Sequence, residues 1–269
     1  MLTIHPMPTA TLNGCELHYQ DVGHGPSVVV LLHAFPLHGG MWAAQVEALK
    51  RHHRVVVPDY RGLGQSGPPP SASTMALLAE DVRALLTHLR VERAAVAGLS
   101  MGGYLAFEVW RQAPGLVRGL ALCDTKAGAD TAEGAAGREA FAKSTLEQGL
   151  AWVADAMLPK LLRPRPDPAV ARQVRHLIAA GTPAGVAAAQ RGMAVRPDST
   201  STLAAIKVPT LVVVGEEDGL TPPAESEKLA AAVKGASLVR LPGAGHLSNL
   251  ENPAGFNAAL EAFLGGLPA

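Results

Sequence analysis

Short apolar runs recur along the chain at residues 28–32, 54–58, 94–98, 119–123, 210–215 and 237–241, and several are apolar at every position. Strands of that kind are covered on both faces, as in a parallel sheet held between helices, whereas a half-buried strand alternates. Segments 41–50, 74–90, 103–113, 224–234 and 254–264 lie between the runs and read as helices. Alternation of strand and helix predicts an α/β fold with a mainly parallel, doubly wound sheet. Segment 12–20 alternates around Cys15 and Leu17 and predicts antiparallel edge strands at the start.

The alternation stops between about Thr125 and Thr202, where Ala-rich segments show helical periodicity instead. Leu146, Leu150, Val153 and Met157 recur at the spacing of one helical face, and Pro164-Arg165-Pro166-Asp167-Pro168 marks a break before a helix at 169–180. A structureless loop of that length is uncommon in a compact domain. The expected organisation is therefore a core of residues 1–124 and 203–269, with a helical cap, 125–202, inserted after the strand ending near Cys123.

At 269 residues the chain is long enough for one large core plus an insertion. With 23 Lys and Arg against 23 Asp and Glu, its formal charge is zero, which gives no electrostatic footprint for nucleic acid and leaves a small molecule as the expected partner. The start, Met1-Leu2-Thr3-Ile4-His5-Pro6, lacks the basic and apolar blocks of a signal peptide, and no apolar run approaches the roughly 18 residues that span a bilayer. A cytoplasmic protein without membrane insertion is expected. Two cysteines, Cys15 and Cys123, are too few for a disulfide framework, and Cys123 reads as a buried thiol. There is no CxxC or HExxH and no histidine–carboxylate grouping at ligand spacing, so neither metal nor cofactor is expected. His52-His53 reads as a solvated corner between helix and strand.

Chemistry concentrates at strand exits. Gly98-Leu99-Ser100-Met101-Gly102 places a serine between glycines where an apolar strand gives way to a helix. Such a turn strains the central residue and lifts its hydroxyl beside helix N-terminal amides, while the glycines let the backbones approach. Serine is a weak nucleophile unless a histidine takes its proton and an acid orients that histidine. His246, in Gly243-Ala244-Gly245-His246, and Asp218, in Gly215-Glu216-Glu217-Asp218, follow two later strands and complete the order Ser, Asp, His. Asp124 follows another strand and is the rival acid, with Glu216 and Glu217 beside Asp218; the larger loop and the helix-opening Pro222-Pro223 favour Asp218.

These pieces, with His33-Ala34-Phe35-Pro36, the turn Asp59-Tyr60-Arg61-Gly62-Leu63-Gly64-Gln65-Ser66, and Glu251-Asn252-Pro253, make the sequence resemble the α/β-hydrolase superfamily over essentially its whole length. The resemblance implies Ser100 as nucleophile, His246 as base and then acid, Asp218 as its orienting acid, and an oxyanion hole from the backbone amides of Phe35 and Met101. It leaves His33, Asp59, Arg61 and Ser66 with structural work. The family's usual His-Gly pair is His33-Ala34 here. If position 34 required a positive φ, the alanine would be strained by on the order of 1 kcal/mol or more.

Serine at the turn sets the chain apart from the dehalogenases and epoxide hydrolases of this fold, which carry aspartate there. Motif texture and the helical cap look most like the carboxylesterase and 3-oxoadipate enol-lactonase-like branch. The resemblance thus implies a cofactor-free serine hydrolase acting on small carboxylic esters or lactones through an acyl-enzyme on Ser100. Alternatives are a ligand-sensing protein with little turnover, a carbon–carbon bond hydrolase, or a cofactor-free haloperoxidase or perhydrolase, since fold alone does not separate them. An enol-lactonase must also hold a substrate carboxylate, and Arg191 and Arg196 are the cap arginines considered for it.

Overall fold

The structure, a computed structural model, describes residues 8–268; the N-terminal segment read above for targeting signals lies outside them. Eight strands form one sheet: β1 (Thr9–Leu12), β2 (Cys15–Val22), β3 (Ser27–Leu32), β4 (His53–Pro58), β5 (Ala94–Leu99), β6 (Val117–Cys123), β7 (Thr210–Gly215) and β8 (Ser237–Leu241). Their spatial order is β1-β2-β4-β3-β5-β6-β7-β8. Two pairings are antiparallel, β1 with β2 and β2 with β4, at the edge where the alternating segment predicts them. The other pairings are parallel. In the middle of the sheet every residue of β5 and β7 is buried, as continuous apolar runs require.

Among the described residues ten α-helices lie between the strands or after the last one: α1 (Ala43–Leu49), α2 (Met75–His88), α3 (Met101–Gln112), α4 (Ala132–Leu161), α5 (Pro168–Ala179), α6 (Pro183–Ala194), α7 (Thr200–Leu203), α8 (Pro223–Ala232), α9 (Ser248–Glu251) and α10 (Pro253–Gly265). Their ends follow local chemistry. Thr74 accepts the Leu77 N–H at the start of α2, Asp167 caps α5 ahead of Pro168, and Asn252 caps α10 ahead of Pro253. The segment predicted as a helix at 41–50 instead begins within a 3₁₀ turn, Gly39–Trp42, whose N-cap His38 accepts the Gly40 N–H, and α1 starts only at Ala43.

Between β6 and β7 run α4, α5, α6 and α7, with no strand among the described residues. Helix α4 is not continuous: Gly149 stands at φ 78°, outside helical geometry, and re-aims the second half. The expected common face of Leu146, Leu150, Val153 and Met157 therefore breaks. Val153 and Met157 are buried, whereas Leu146, on the far side of the kink, is 50% exposed. Helical periodicity holds only while the helix does.

The chain leaves β3 toward β4 on one side and returns to β5 on the other, so strand order reverses between β3 and β5. Crevices outside the carboxyl ends of strands at such a switch point are the natural ligand sites of open α/β sheets. Phe35 follows β3 and Ser100 follows β5.

Candidate active site

Ser100 occupies the turn between β5 and α3 with φ 57° and ψ −113°, a conformation that an L-residue holds only when its surroundings impose it. They do. Its N–H donates to the Cys123 carbonyl at 2.9 Å, and its carbonyl accepts the Gly103 N–H at 2.9 Å and the Thr125 hydroxyl at 2.8 Å. A Cβ on Gly98 would sit 2.1 Å from the Gly102 carbonyl oxygen, and one on Gly102 would sit 2.1 Å from the Leu32 carbonyl oxygen. The glycines flanking the serine are thus required by contact between backbones, as the sequence pattern predicts.

His246 and Asp218 meet. The imidazole Nδ1 lies 2.9 Å from Asp218 Oδ2, with both side chains fully buried. Asp218 also accepts the Leu220 and Thr221 N–H groups at 2.8 and 2.9 Å and the Thr221 hydroxyl at 2.7 Å. Burial pushes its carboxyl up, but His246 and the Thr221 contacts outweigh that and hold it below the usual carboxylate range. With Nδ1 donating to a carboxylate, the ring's Nε2 is the acceptor nitrogen, and it is buried without a protein partner. No hydrogen bond joins it to Ser100 Oγ in this structure. Such contacts commonly close only around a bound reactant. Thr221 Oγ1, 3.2 Å from Nδ1, belongs to this network, and a threonine three residues beyond an acid is too ordinary a sequence signal to have marked it.

Asp124 is elsewhere engaged. Fully buried at the end of β6, it accepts the Gly215 N–H at 2.8 Å on Oδ1 and bonds Ser248 Oγ through Oδ2. Burial, together with the nearby Asp218 charge, raises its carboxyl well above the ordinary range. It ties the exit of β7 to the start of α9, and it makes no hydrogen bond to His246. Glu216 and Glu217 are exposed. Glu251 fixes the histidine's loop, accepting the Gly245 N–H at 2.7 Å and the Arg163 N–H at 3.1 Å.

Met101 opens α3, so its N–H has no acceptor within that helix, and neither it nor the Phe35 N–H is engaged by any side-chain, turn or loop hydrogen bond among the described residues. Ala34 needs no left-handed backbone. The described residues with positive φ other than glycine are Asn13, Arg90, Ser100 and Asp124. Ala34 is buried, with its N–H on Met41 Sδ at 3.2 Å and its carbonyl accepting Leu37 N–H at 2.9 Å, so the extra methyl is accommodated without strain.

The neighbouring motif residues build support. His33 stacks on Tyr60 with ring centroids 3.6 Å apart, donates from Nδ1 to the Ala34 carbonyl and accepts the Tyr60 N–H on Nε2 at 3.2 Å; burial lowers it to about 4, so it stays neutral. Asp59 gathers the Gly39 N–H, the Gln65 N–H and His18 Nδ1 at 2.7, 3.1 and 2.8 Å. Arg61 pairs with Asp81 at 2.6 Å, and Ser66 donates to the Asp59 carbonyl at 2.8 Å.

A cavity of about 460 Å³ opens at Ser100. Phe35, Tyr104, Phe141, Met157 and Met193 supply its apolar lining, and Lys126, Asp130, Arg138 and Lys160 its charges. The two arginines considered from sequence are not among its lining. Arg191 pairs with Glu139 at 2.9 Å on the helical surface. Arg196 is buried beneath the cavity, bonded to Asp130, the Gly128 carbonyl and the Met193 carbonyl, with its guanidinium 4.2 Å over the Tyr104 ring.

A serine on a strained strand-to-helix turn, facing a cavity on a doubly wound sheet whose histidine and acid follow later strands, defines the hydrolase class of this architecture. Comparison with known families agrees: residues 27–253 match the alpha/beta hydrolase fold family, and the chain belongs to it. Over 97% of its length it superposes on a thermophilic esterase from Thermogutta terrifontis, solved with malate bound, covering 98% of that chain at TM-score 0.93 and 38% identity. An enol-lactonase from Burkholderia xenovorans superposes over 96% of this chain and 100% of its own, with TM-score 0.88 and 33% identity. Among curated proteins, 3-oxoadipate enol-lactonase 1 of Acinetobacter baylyi is 30% identical over 275 residues, covering 98% of each chain. The relatives fall on the esterase and enol-lactonase branch that the sequence resembles.

Proposed function

We propose that the chain hydrolyses small carboxylic esters or lactones through an acyl-enzyme on Ser100, with residues 1–124 and 203–269 as the hydrolase core and 125–202 as a cap over the cavity. The observation that carries this reading is the buried His246, held by Asp218 through Nδ1 and left with an unpartnered Nε2 at the sheet edge that also presents Ser100. Ser100 Oγ attacks the carbonyl carbon as Nε2 takes its proton. The oxygen of the tetrahedral state, now negative, is met by the Met101 and Phe35 amides, each of a kind worth about 3 kcal/mol when lost. Collapse breaks the bond to the alkoxy oxygen, which takes the proton from His246. A water molecule, deprotonated by the same Nε2, then releases the acid and restores the serine.

The site residues need neither metal nor organic cofactor for these steps. The reading is tested by incubation with an organophosphonate and by an activity screen across p-nitrophenyl esters of graded length and small lactones. The expected result is a mass increment on the peptide bearing Ser100, multiple turnovers by the native protein and none by Ser100→Ala. Label on another residue, or turnover that survives Ser100→Ala, removes the assignment.

A further inference from the structure

The two amides that the hydrolase reading gives to the oxyanion are held by different means. The Met101 N–H opens α3, which follows directly on β5 and Ser100, whereas the Phe35 N–H belongs to a loop between β3 and the 3₁₀ turn. A trans peptide unit is planar, so fixing its carbonyl also aims its N–H. Two successive units of the loop are gripped in this way. In the His33–Ala34 unit the carbonyl accepts the Tyr60 hydroxyl at 3.2 Å and the N–H donates to Met41 Sδ at 3.2 Å. In the Ala34–Phe35 unit the carbonyl accepts the Leu37 N–H at 2.9 Å and His33 Nδ1–H at 3.1 Å, which turns the Phe35 N–H the opposite way.

Met41 carries this grip across the site. It is fully buried, and its thioether is a weak acceptor, but a purely apolar side chain there would leave the buried Ala34 N–H unmet, which costs more than the weak bond supplies. The Met41 carbonyl in turn accepts Asn249 Nδ2 at 3.0 Å. Asn249, also fully buried, lies in α9 three residues beyond His246. Its Nδ2 is 3.1 Å from Gln45 Oε1, and its carbonyl accepts Gln45 Nε2 at 3.3 Å. Burying a primary amide is unfavourable unless its hydrogen bonds are made, and here they join two loops 208 residues apart, one carrying the Phe35 N–H and the other His246.

We infer that Met41 and Asn249 are positioning residues for the hydrolysis. The thioether fixes the peptide unit ahead of the Phe35 amide, and Asn249 fixes Met41 to the loop of His246, so that oxyanion donor and proton acceptor keep one spacing while the tetrahedral state forms. Neither residue lines the cavity, so each acts through the groups it holds. The inference rests on the hydrolase reading for the roles of Phe35 and His246, but not for the bonds themselves. A displaced donor weakens a contact made only in the transition state, which lowers kcat and leaves KM.

Met41→Leu keeps the side-chain volume and removes the acceptor, and Asn249→Ala removes the donor to Met41. With p-nitrophenyl butyrate, well below the Tm of each variant, each should lower kcat about tenfold, the size of one net hydrogen bond, with KM changed less than about twofold. Inhibition by butaneboronic acid, whose tetrahedral adduct on Ser100 offers an oxygen to the same amides, should weaken by the same factor. The double variant should lose far less than the product of the two, because both act through Met41. Met75→Leu, at the buried methionine that opens α2, should move neither kcat nor the boronic acid. Should Met41→Leu not fold, Asn249→Ala carries the same test. The bond itself is followed without turnover: the Ala34 amide of Ser100→Ala should exchange its hydrogen faster once Met41→Leu is added. Faster exchange with no ester turnover in the native protein would remove the hydrolase reading, and the positioning role with it, and leave only the tie. Turnover with kcat and boronic acid affinity unmoved in both variants, or lowered equally in Met75→Leu, would overturn the positioning role and keep the hydrolase.

Discussion

On one side of the site, Phe35, Ser100, Asp218 and His246 follow the parallel strands β3, β5, β7 and β8, with Phe35 and Ser100 lining the cavity; on the other, Lys126, Asp130 and Arg138 are carried by the loop after β6 and by α4. The strand side is held mainly by backbone: the Ser100 main chain is bonded by three main-chain groups and the Thr125 hydroxyl, and two flanking glycines leave no room for a methyl. The helical side is held by charge: one carboxylate gathers two guanidiniums, and a ring of Tyr104 supports one of them. Backbone contact tolerates almost no change in position, whereas an ion cluster can be re-sized by exchanging side chains. Chemistry common to a fold therefore belongs on the first side, and selectivity on the second.

That contrast can be broken most directly at the two buried acids of the strand side. Asp218→Asn is expected to lower kcat by about 10²–10⁴, because the amide no longer fixes the imidazole tautomer. Asp124→Asn, which removes a tie to Ser248 and none to His246, should lower it far less. Steady-state kinetics on one ester decides between them, and the opposite ranking would move the orienting acid to the end of β6.

Next in size is Gly98→Ala. A methyl 2.1 Å from the Gly102 carbonyl oxygen forces β5 and α3 apart, and a loss of about 3 kcal/mol or more is expected in denaturant unfolding. Little change there would mean that the turn has slack and that the backbone account of the strand side is wrong.

Acid sensitivity follows from His33. Its value of about 4 in the folded chain lies below the ordinary 6.5, so between those limits the unfolded chain binds the proton that the folded one refuses. The stability it protects is complete above pH 6.5, declines as pH falls toward 4, and amounts to about 3 kcal/mol at most. Thermal unfolding from pH 7 to pH 4 should show that slope, and His33→Gln should flatten it even if its Tm at pH 7 is lower.

On the helical side, Asp130→Asn should cost about 2 kcal/mol, as one buried and one half-buried guanidinium lose their common anion, while the turn at Ser100 stays intact and still takes up an organophosphonate. Loss of labelling would show the two sides to be coupled more tightly than their separate construction implies. Smallest of all is Arg191→Gln. Its pair with Glu139 is on the surface, and both stability and ester turnover should stay within about 0.5 kcal/mol of the native protein.

Much of the strand side could be read from residues alone. Apolar runs mark β3 to β7 because burial on both faces leaves few polar positions, the edge strand β8 shows its run with only Leu241 buried, and glycine around Ser100 marks a backbone approach that only glycine permits. Ser100, Asp218 and His246 are legible for the same reason, each following a strand that the pattern already predicts. The sequence favours Asp218 over Asp124 only through its larger loop and the following Pro222-Pro223. Both follow strands, and only the β6–β7 neighbourhood shows that Asp124 bonds Gly215 and Ser248 while Asp218 receives the imidazole. The helical side resisted reading more fully: a single Gly149 turned Leu146 away from Val153, and Arg196, though buried near the site, was drawn beneath Tyr104. Periodicity and glycine spacing are local, so sequence by itself determined the sheet, its turns and the residues at its exits. Which side chains share a proton or neutralise a charge depends on distances between segments far apart in the chain, and those only the tertiary structure decided.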